Sequence, residues 1–488
     1  MLRVGLVSTF DSRRTAEFPA RHSLSAMRLG AFLVSRKPDW YVRMRAFDQS
    51  TLPAAAAEAL MGDRFDVIGL PAYIWTKAWS RDLSMELLSR KNPLIVVGGP
   101  ETQTMSVDDW PEDVLFVVGP GEEAFLAVCE GHETCSPVSE SVHASLAKFP
   151  VYSRGSGRAA ALVSARPDKS MLRLPHGAPL FGAEFFGLLD GGETQPDFSW
   201  YETARGCIYS CSFCGHNTLP FFATYDLEFV EQEIMLMQRC GVRRIFLIDP
   251  ILGGRPARGK AILRLFKAVA PEISITAYMR PEFLDDEFIT LLAQSNIEEL
   301  LVGIQTVNPS VPRHVRGNDI PKMVRYLPEL AARGVRWRAE LIVGLPGDTK
   351  IGLEETLRFT VNMLKPATLF AYPLTAIPGT ELFGLVKNYS NANWIEIDDH
   401  SRVISSSTFS AEGLLSMQRY SGAISALYNQ LKADGINCLP FDELERRATS
   451  ELSPKSASRF AELNSTLPAI GGASLGETPG TMRWEGAT

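Results

Sequence analysis

Eleven short apolar runs, most of them ending in Gly, Pro or Ser, punctuate the chain, and the stretches between them carry helical patterns of apolar residues. Alternation of this kind predicts an α/β chain, since parallel strands are joined by crossover helices. The first five runs, LRVGLVS (2–8), WYVRMRAF (40–47), DVIGLPAY (66–73), PLIVVGG (93–99) and VLFVVG (114–119), predict a doubly wound parallel sheet over residues 1–135. Such sheets bind ligands at the carboxyl ends of their strands. Residues 136–195 lack any long period and read as a linker with scattered Pro, Gly and Ser. FSWYETARGC, RRIFLIDP, SITAYMRP, ELLVGIQT, RWRAELIVGLPG and TLFAYPLTAIPGT then supply six further βα units, a partial (β/α)6 barrel over residues 196–385. Residues 386–488 predict a small, mostly α module with a helix over 410–433, ending in a loosely held tail rich in Gly, Ser, Thr and Ala. A chain of 488 residues exceeds what one ordinary core serves, in keeping with several domains.

Charge narrows the partners. The net charge is −7 and Lys and Arg form no run, which argues against a nucleic-acid surface, because phosphate binding needs clustered cations. No stretch reaches the roughly 20 apolar residues that span a bilayer, and MLRVGLVSTF reads as a first strand rather than a leader. The expectation is a cytoplasmic protein with reduced thiols, no membrane and a small-molecule substrate.

GCIYSCSFC (206–214) places Cys207, Cys211 and Cys214 in nine residues of a chain with seven cysteines. Three thiols on one loop cannot pair off as disulfides. A structural zinc site normally draws on two separated pairs, and no second pair lies nearby, although His216 could complete a zinc set. Thiolates on one loop suit an iron–sulfur cluster, and three ligands to a four-iron cluster leave one iron open. Unrelated structural cysteines are the remaining alternative. Cys129, Cys135, Cys240 and Cys438 lack cluster spacing and read as structural thiols.

The CxxxCxxC spacing, with Phe213 just before the third cysteine, resembles the signature of the radical S-adenosylmethionine (SAM) superfamily. That resemblance implies a 4Fe-4S cluster on Cys207, Cys211 and Cys214. Its open iron would chelate SAM, whose sulfonium is split by one electron to methionine and a 5′-deoxyadenosyl radical. It also implies a TIM-type radical SAM barrel and an external electron donor of flavodoxin or ferredoxin type. IFLIDP (245–250), VGIQT (302–306), LIVGLPGD (341–348) and LTAIPGT (374–380) are similar to later strand ends of that barrel. On this reading Gly303 admits the adenosyl group closely, and Gln305 and Thr306 offer it hydrogen bonds.

Other polar residues near predicted strand ends are candidates for cofactor or substrate contact. Glu340 and Arg338 alternate with Trp337 and Ala339 on one strand, and a charge inside a barrel must be paired or used. Glu340 and Arg280 are therefore candidates for contacting SAM or substrate, with a structural ion pair as the alternative. Asp249 and Tyr278 stand in the same category. His216 is expected to cap the cysteine loop or to face the active site.

A doubly wound, Rossmann-like domain ahead of such a barrel resembles the cobalamin-binding class of the superfamily. VVGGPE (96–101) and VVGPGEE (117–123) are similar to the last two strand-to-loop segments of that domain, so Gly98, Gly99, Gly119 and Gly121 are expected against the corrin. The chain departs from the class at Pro120, which removes a backbone donor, and STFDSRRT after the first strand has no histidine for the cobalt. Trp75, in AYIWTKAW, is the candidate for the lower face, with a packing role as the alternative. The resemblance implies cobalamin-dependent C-methylation, with antibiotic biosynthesis among its settings. Two other readings stay open: radical dehydration of a sugar or aminoglycoside diol without cobalamin, and an iron–sulfur redox sensor.

Overall fold

A computed structural model of the chain describes residues 1–14, 19–90, 93–134, 151–153, 197–218, 222–312, 317–398, 401–436 and 439–450, with positions 174, 177–182, 185, 188 and 315 besides. Most of the expected linker, the terminal tail, Cys135 and Cys438 lie outside the described residues. Contacts divide the chain into two compact units, Met1–Ile208 with Thr218–Ile275, and Tyr209–Asn217 with Thr276–Thr488.

The first unit opens with β1 (Arg3–Phe10), α1 (Leu24–Arg36), β2 (Tyr41–Asp48), α2 (Pro53–Asp63), β3 (Val67–Pro71), α3 (Lys77–Arg90), β4 (Leu94–Gly98), β5 (Val114–Val117), α4 (Glu122–Thr134) and β6 (Val151–Ser153). Their order in the sheet is β2-β1-β3-β4-β5-β6. Every pairing is parallel except β5 with β6. The order reverses between β1 and β3, where such sheets open a ligand crevice at the strand carboxyl ends. The expected doubly wound sheet is therefore present. One face of it packs Ile68, Leu70, Ile95, Val97 and Phe116 against Ala56, Leu60, Leu83 and Leu87 of α2 and α3. Each large apolar side chain buried there contributes about 1.5–3 kcal/mol. β6 was not legible as a strand, because three residues carry no period.

The same unit continues with β7 (Phe198–Tyr201), β8 (Ala204–Gly206), β9 (Phe222–Thr224), α5 (Leu227–Arg239), β10 (Arg244–Leu247) and α6 (Pro256–Val269). β7 runs parallel to β10, and β8 pairs antiparallel with β9. FSWYETARGC is thus two strands rather than the single one expected, broken at Glu202 and Thr203.

β11 (Ser274–Met279) runs across the division of the chain, and the second unit follows with α7 (Asp286–Ala293), β12 (Ile297–Gln305), α8 (Ile320–Ala332), β13 (Trp337–Val343), α9 (Lys350–Phe359) and β14 (Thr368–Pro373). β12, β13 and β14 form a parallel ladder in which Glu340 stands between Gly303 and Phe370. Side chains of Asp285, Asp319 and Thr349 cap the three helices by accepting from backbone N–H groups of their first turns.

Beyond β14 lie β15 (Ile395–Ile397), β16 (Val403–Ser406), α10 (Ala411–Ala433) and α11 (Phe441–Ser450). α10 matches the helix expected over 410–433 and starts on Ser410, whose hydroxyl accepts from Gly413 N. It packs against β14. Asn429 both accepts from Leu369 N (2.8 Å) and donates to Leu369 O (2.9 Å), and Tyr428 donates to Pro366 O (2.6 Å). The helix thereby satisfies backbone groups along β14 that would otherwise invite another strand.

Candidate functional site

The cysteine loop begins where β8 ends. Gly206 has a φ of 81°, a left-handed conformation that favours glycine, and Cys207 follows at once. Cys211 and Cys214 sit in Tyr209–Asn217, where Cys214 N donates to Cys211 O (3.1 Å) in a tight turn. Leu382 N donates to Ser212 O (3.0 Å), tying that turn to the segment after β14. All three thiols are half-buried and free of disulfides. Among the described residues no three His, Cys, Asp or Glu side chains converge to share one metal ion; thiolates that each take a different iron of a cluster need not. Phe213 is half-buried. His216 is exposed and makes no hydrogen bond among the described residues, so it does not cap the loop in the way expected.

Asp249 holds the strand that feeds this loop. Its Oδ1 accepts from Thr203 N (2.6 Å) and Ala204 N (2.9 Å), and its Oδ2 accepts from Thr203 Oγ1 (2.5 Å) and Gly253 N (3.0 Å). These bonds are the physical reason that β7 and β8 separate at Thr203. Burial pushes the carboxyl up to about 6, against the pull of those same donors. Gly253 permits the arrangement, since a Cβ there would meet Gly259 backbone at 2.6 Å. Every oxygen of this candidate catalytic residue is thus taken by its own fold.

A buried ion network, not foreseen from the sequence, surrounds the same strand. Arg28 of α1 grips Glu233 of α5 with two bonds (2.5 and 2.9 Å) and donates to Glu202 O (3.1 Å). Its guanidinium lies 4.6 Å from the centre of the Tyr225 ring. Arg205 joins Glu202 (2.5 Å) to Glu122 (3.0 Å), the residue that opens α4 just after Gly121. Burial works to raise the Glu202 carboxyl, but Arg205 and Arg28 hold it below its ordinary value. The loop of the first sheet is thus linked, within one unit, to the residue two places before Cys207.

At the carboxyl ends of β3, β4 and β5 the glycines divide into two kinds. Gly99 has a φ of 133°, and a Cβ there would stand 2.6 Å from Ala72 O, so the chain itself requires it. A Cβ on Gly98 or Gly121 would meet nothing within 4 Å. Those two positions face open space. Gly119 also takes a positive φ, 87°. Trp75 stacks on Tyr73 (ring centres 5.0 Å apart, planes 8° apart) and is 41% exposed. It is no core tryptophan. Tyr73 in turn donates to Ser25 Oγ (3.1 Å), which fixes the pair.

In the second unit Glu340 is 9% exposed, and its buried Oε1 has no hydrogen-bond partner among the described residues. Burial pushes its carboxyl up to about 8, only partly opposed by Arg338. Arg338 is committed elsewhere, to Glu299, which also accepts from Thr368 Oγ1 (3.1 Å). Burial pushes up the phenols of Tyr278 and Tyr372, and the Glu340 charge adds to both.

The end of β12 is bent by a bulge between Gly303 and Gln305, and Gln305 has a φ of 62°. Such a conformation in a non-glycine residue is uncommon and concentrates at functional sites. Thr306 faces its own loop, where its hydroxyl accepts from Asn308 N (3.0 Å) and bonds Thr356 Oγ1 (3.3 Å). Arg280 is turned onto the cysteine loop: Nη1 lies 3.4 Å from Cys211 Sγ.

Residues 201–360 match the family model described as the Radical SAM superfamily. The 2-(S-pantetheinyl)-carbapenam-3-carboxylate methyltransferase of Streptantibioticus cattleyicolor is 30% identical over 310 residues, 58% of this chain and 42% of that protein. The cobalamin-dependent radical SAM methyltransferase TokK of Streptomyces tokunonensis is 23% identical over 346 residues, 65% of this chain and 48% of its own length. The chain spans less than half the length of these relatives. Among solved structures, the radical SAM methyltransferase TsrM from Kitasatospora setae superposes with a TM-score of 0.62 at 14% identity, covering 95% of this chain and 100% of that one. The cobalamin-dependent radical enzyme OxsB superposes with a TM-score of 0.64 at 15% identity, covering 95% and 72%. These two likenesses show the fold, a mixed α/β chain with parallel sheets.

Residues 201–360 therefore form a radical SAM domain, the kind of domain that uses a 4Fe-4S cluster and SAM. The chain's relatives include a cobalamin-dependent radical SAM methyltransferase, of the class expected from the sequence, and also the ribosomal protein uS12 methylthiotransferase RimO of Chlorobium phaeobacteroides, 29% identical over 182 residues. Among the described residues no helix is long and apolar enough to cross a membrane.

Proposed function

We propose that this chain cleaves SAM at a cluster held by Cys207, Cys211 and Cys214 and, with cobalamin, methylates a carbon of a small polar substrate of natural-product type. The observation that carries the reading is the three-cysteine loop inside the matched domain, on a strand anchored by Asp249. When bound, the cluster and SAM supply a carbon-centred radical, and the corrinoid supplies the methyl group. The chain's own residues hold the geometry. Gly98 and Gly121 leave room beside the first sheet, and the exposed Trp75 ring, fixed by Tyr73, offers a flat face to the corrin.

Glu340, kept mostly protonated at neutral pH, offers a hydrogen bond to SAM or substrate without a net charge. Residues 1–135 serve as the corrinoid domain, 196–385 as the barrel and 386–488 as the substrate cap, with a flavodoxin- or ferredoxin-type donor supplying electrons. A carbapenam-acting methyltransferase among the relatives supports the substrate class.

Reconstitution of the protein under anaerobic conditions with iron, sulfide and hydroxocobalamin tests the corrinoid half. About one cobalt per chain, reduced at least tenfold in affinity by Trp75→Ala, supports methylation. Failure to retain any corrinoid sinks it in favour of cobalamin-independent dehydration, which Pro120 in the second glycine segment would suit.

A further inference from the structure

Arg280 leaves the carboxyl end of β11 and is only 7% exposed. Its guanidinium is held by three hydrogen-bond partners in the wall of a cavity of about 520 Å³ that Tyr209, Cys211, Glu282 and Asp319 also line. Nη1 donates toward Cys211 Sγ (3.4 Å), Nη2 donates to Gly317 O (2.9 Å), and Nε donates to Glu282 Oε2 (2.9 Å). Its Cζ stands 3.8 Å from the centre of the Tyr209 ring. Glu282 is itself held, because its Oε1 accepts from Asp319 N (3.1 Å) and its backbone O accepts from Lys322 Nζ (2.8 Å). These partners fix the side chain in its place in the cavity wall. It presents a permanent positive charge to one sulfur.

We infer that Arg280 is a positioning residue that sets the reduction potential of the cluster through Cys211, with Glu282 as its electrostatic counterweight. The inference rests on the proposed reading of Cys211 as a cluster ligand. A cysteine sulfur that accepts a charge-assisted hydrogen bond donates less electron density to its iron, and a fixed cation nearby stabilises the electron that reduction adds. Both effects raise the potential, and both are strengthened where the surroundings exclude water. Glu282 works the other way: its carboxylate offsets part of the guanidinium charge. Neutralising the two residues should therefore move the potential in opposite directions.

The test is an EPR-monitored redox titration of the full chain, reconstituted anaerobically and without SAM, alongside iron and sulfide counts per chain. Arg280→Gln should retain the cluster and become harder to reduce. At a fixed applied potential its reduced-to-oxidised ratio should fall about tenfold, or about 59 mV for one electron. Glu282→Gln, which keeps an acceptor oxygen for Arg280, should raise the ratio at least threefold. Arg280→Lys, with the charge but not the fork, should fall between wild type and Arg280→Gln. Full clusters with unchanged midpoints, or shifts of the same sign in Arg280→Gln and Glu282→Gln, overturn the inference. Should Arg280→Gln lose its cluster, Glu282→Gln decides alone, and no upward shift there refutes the role. A wild-type protein that assembles no four-iron cluster refutes the reading of the cysteines instead.

Discussion

Glu340→Gln isolates the buried carboxyl at the centre of the second unit. Glu340 ionises at about 4.5 in an open chain and is pushed up to about 8 in the fold by burial. A carboxyl raised in this way stabilises the fold fully below pH 4.5 and loses that contribution as pH climbs through 8, because the folded state binds the proton that the unfolded state has released. The slope is about 1.4 kcal/mol per pH unit, and the whole window amounts to about 5 kcal/mol, an order-of-magnitude figure. Gln has nearly the same shape and no proton to lose. The difference in unfolding free energy between variant and wild type should therefore favour the variant by a growing margin, about 1.4 kcal/mol for each pH unit between 5 and 8, and level off above 8. Urea unfolding of both proteins at pH 5.5, 7.0 and 8.5 under identical buffers reads this difference directly, since other titrating groups cancel. A difference that stays constant with pH would refute the claim that Glu340 is buried without a compensating partner. The same substitution should slow turnover at neutral pH, so that stability and activity move in opposite directions.

Two further substitutions probe the support of the cysteine loop. Asp249→Asn should destabilise the fold by about 2–4 kcal/mol, because an amide in place of the carboxylate cannot accept from Thr203, Ala204 and Gly253 together; thermal unfolding and iron retention would both fall, and an unchanged protein contradicts the anchoring role. Arg28→Met should cost about 3–5 kcal/mol, since Glu233 and Glu202 are left buried beside an apolar side chain; adding Glu233→Gln should recover part of the loss in the same unfolding assay, and a double variant no better than the single one contradicts the pairing.

The parts legible in the sequence share one property: their signals are local. The period of apolar residues located the first five strands and the helix Ala411–Ala433 to within two residues, but in the second sheet it marked where strands begin better than where they end, TLFAYPLTAIPGT running past Pro373, and cysteine spacing located the loop. What escaped depends on partners far apart in the chain. Arg28 and Glu233 are separated by 205 residues, and neither stands in a pattern that marks it as buried. Asp249 was visible as an acidic residue at a strand end, but only its contacts with Thr203 and Ala204 explain why FSWYETARGC breaks into two strands. Arg280 is legible as a charge near a strand end, but its contact with Cys211, 69 residues away, is not.

Release of 5′-deoxyadenosine from SAM by the reconstituted, chemically reduced protein, measured beside Cys211→Ala, shows whether Cys207, Cys211 and Cys214 hold a cluster that splits SAM. Wild type should give product that depends on reductant, and a Cys211→Ala protein, which also lacks its full iron complement, should give none. Cleavage that survives in Cys211→Ala, or its absence from a fully loaded wild type, refutes that role for the three cysteines.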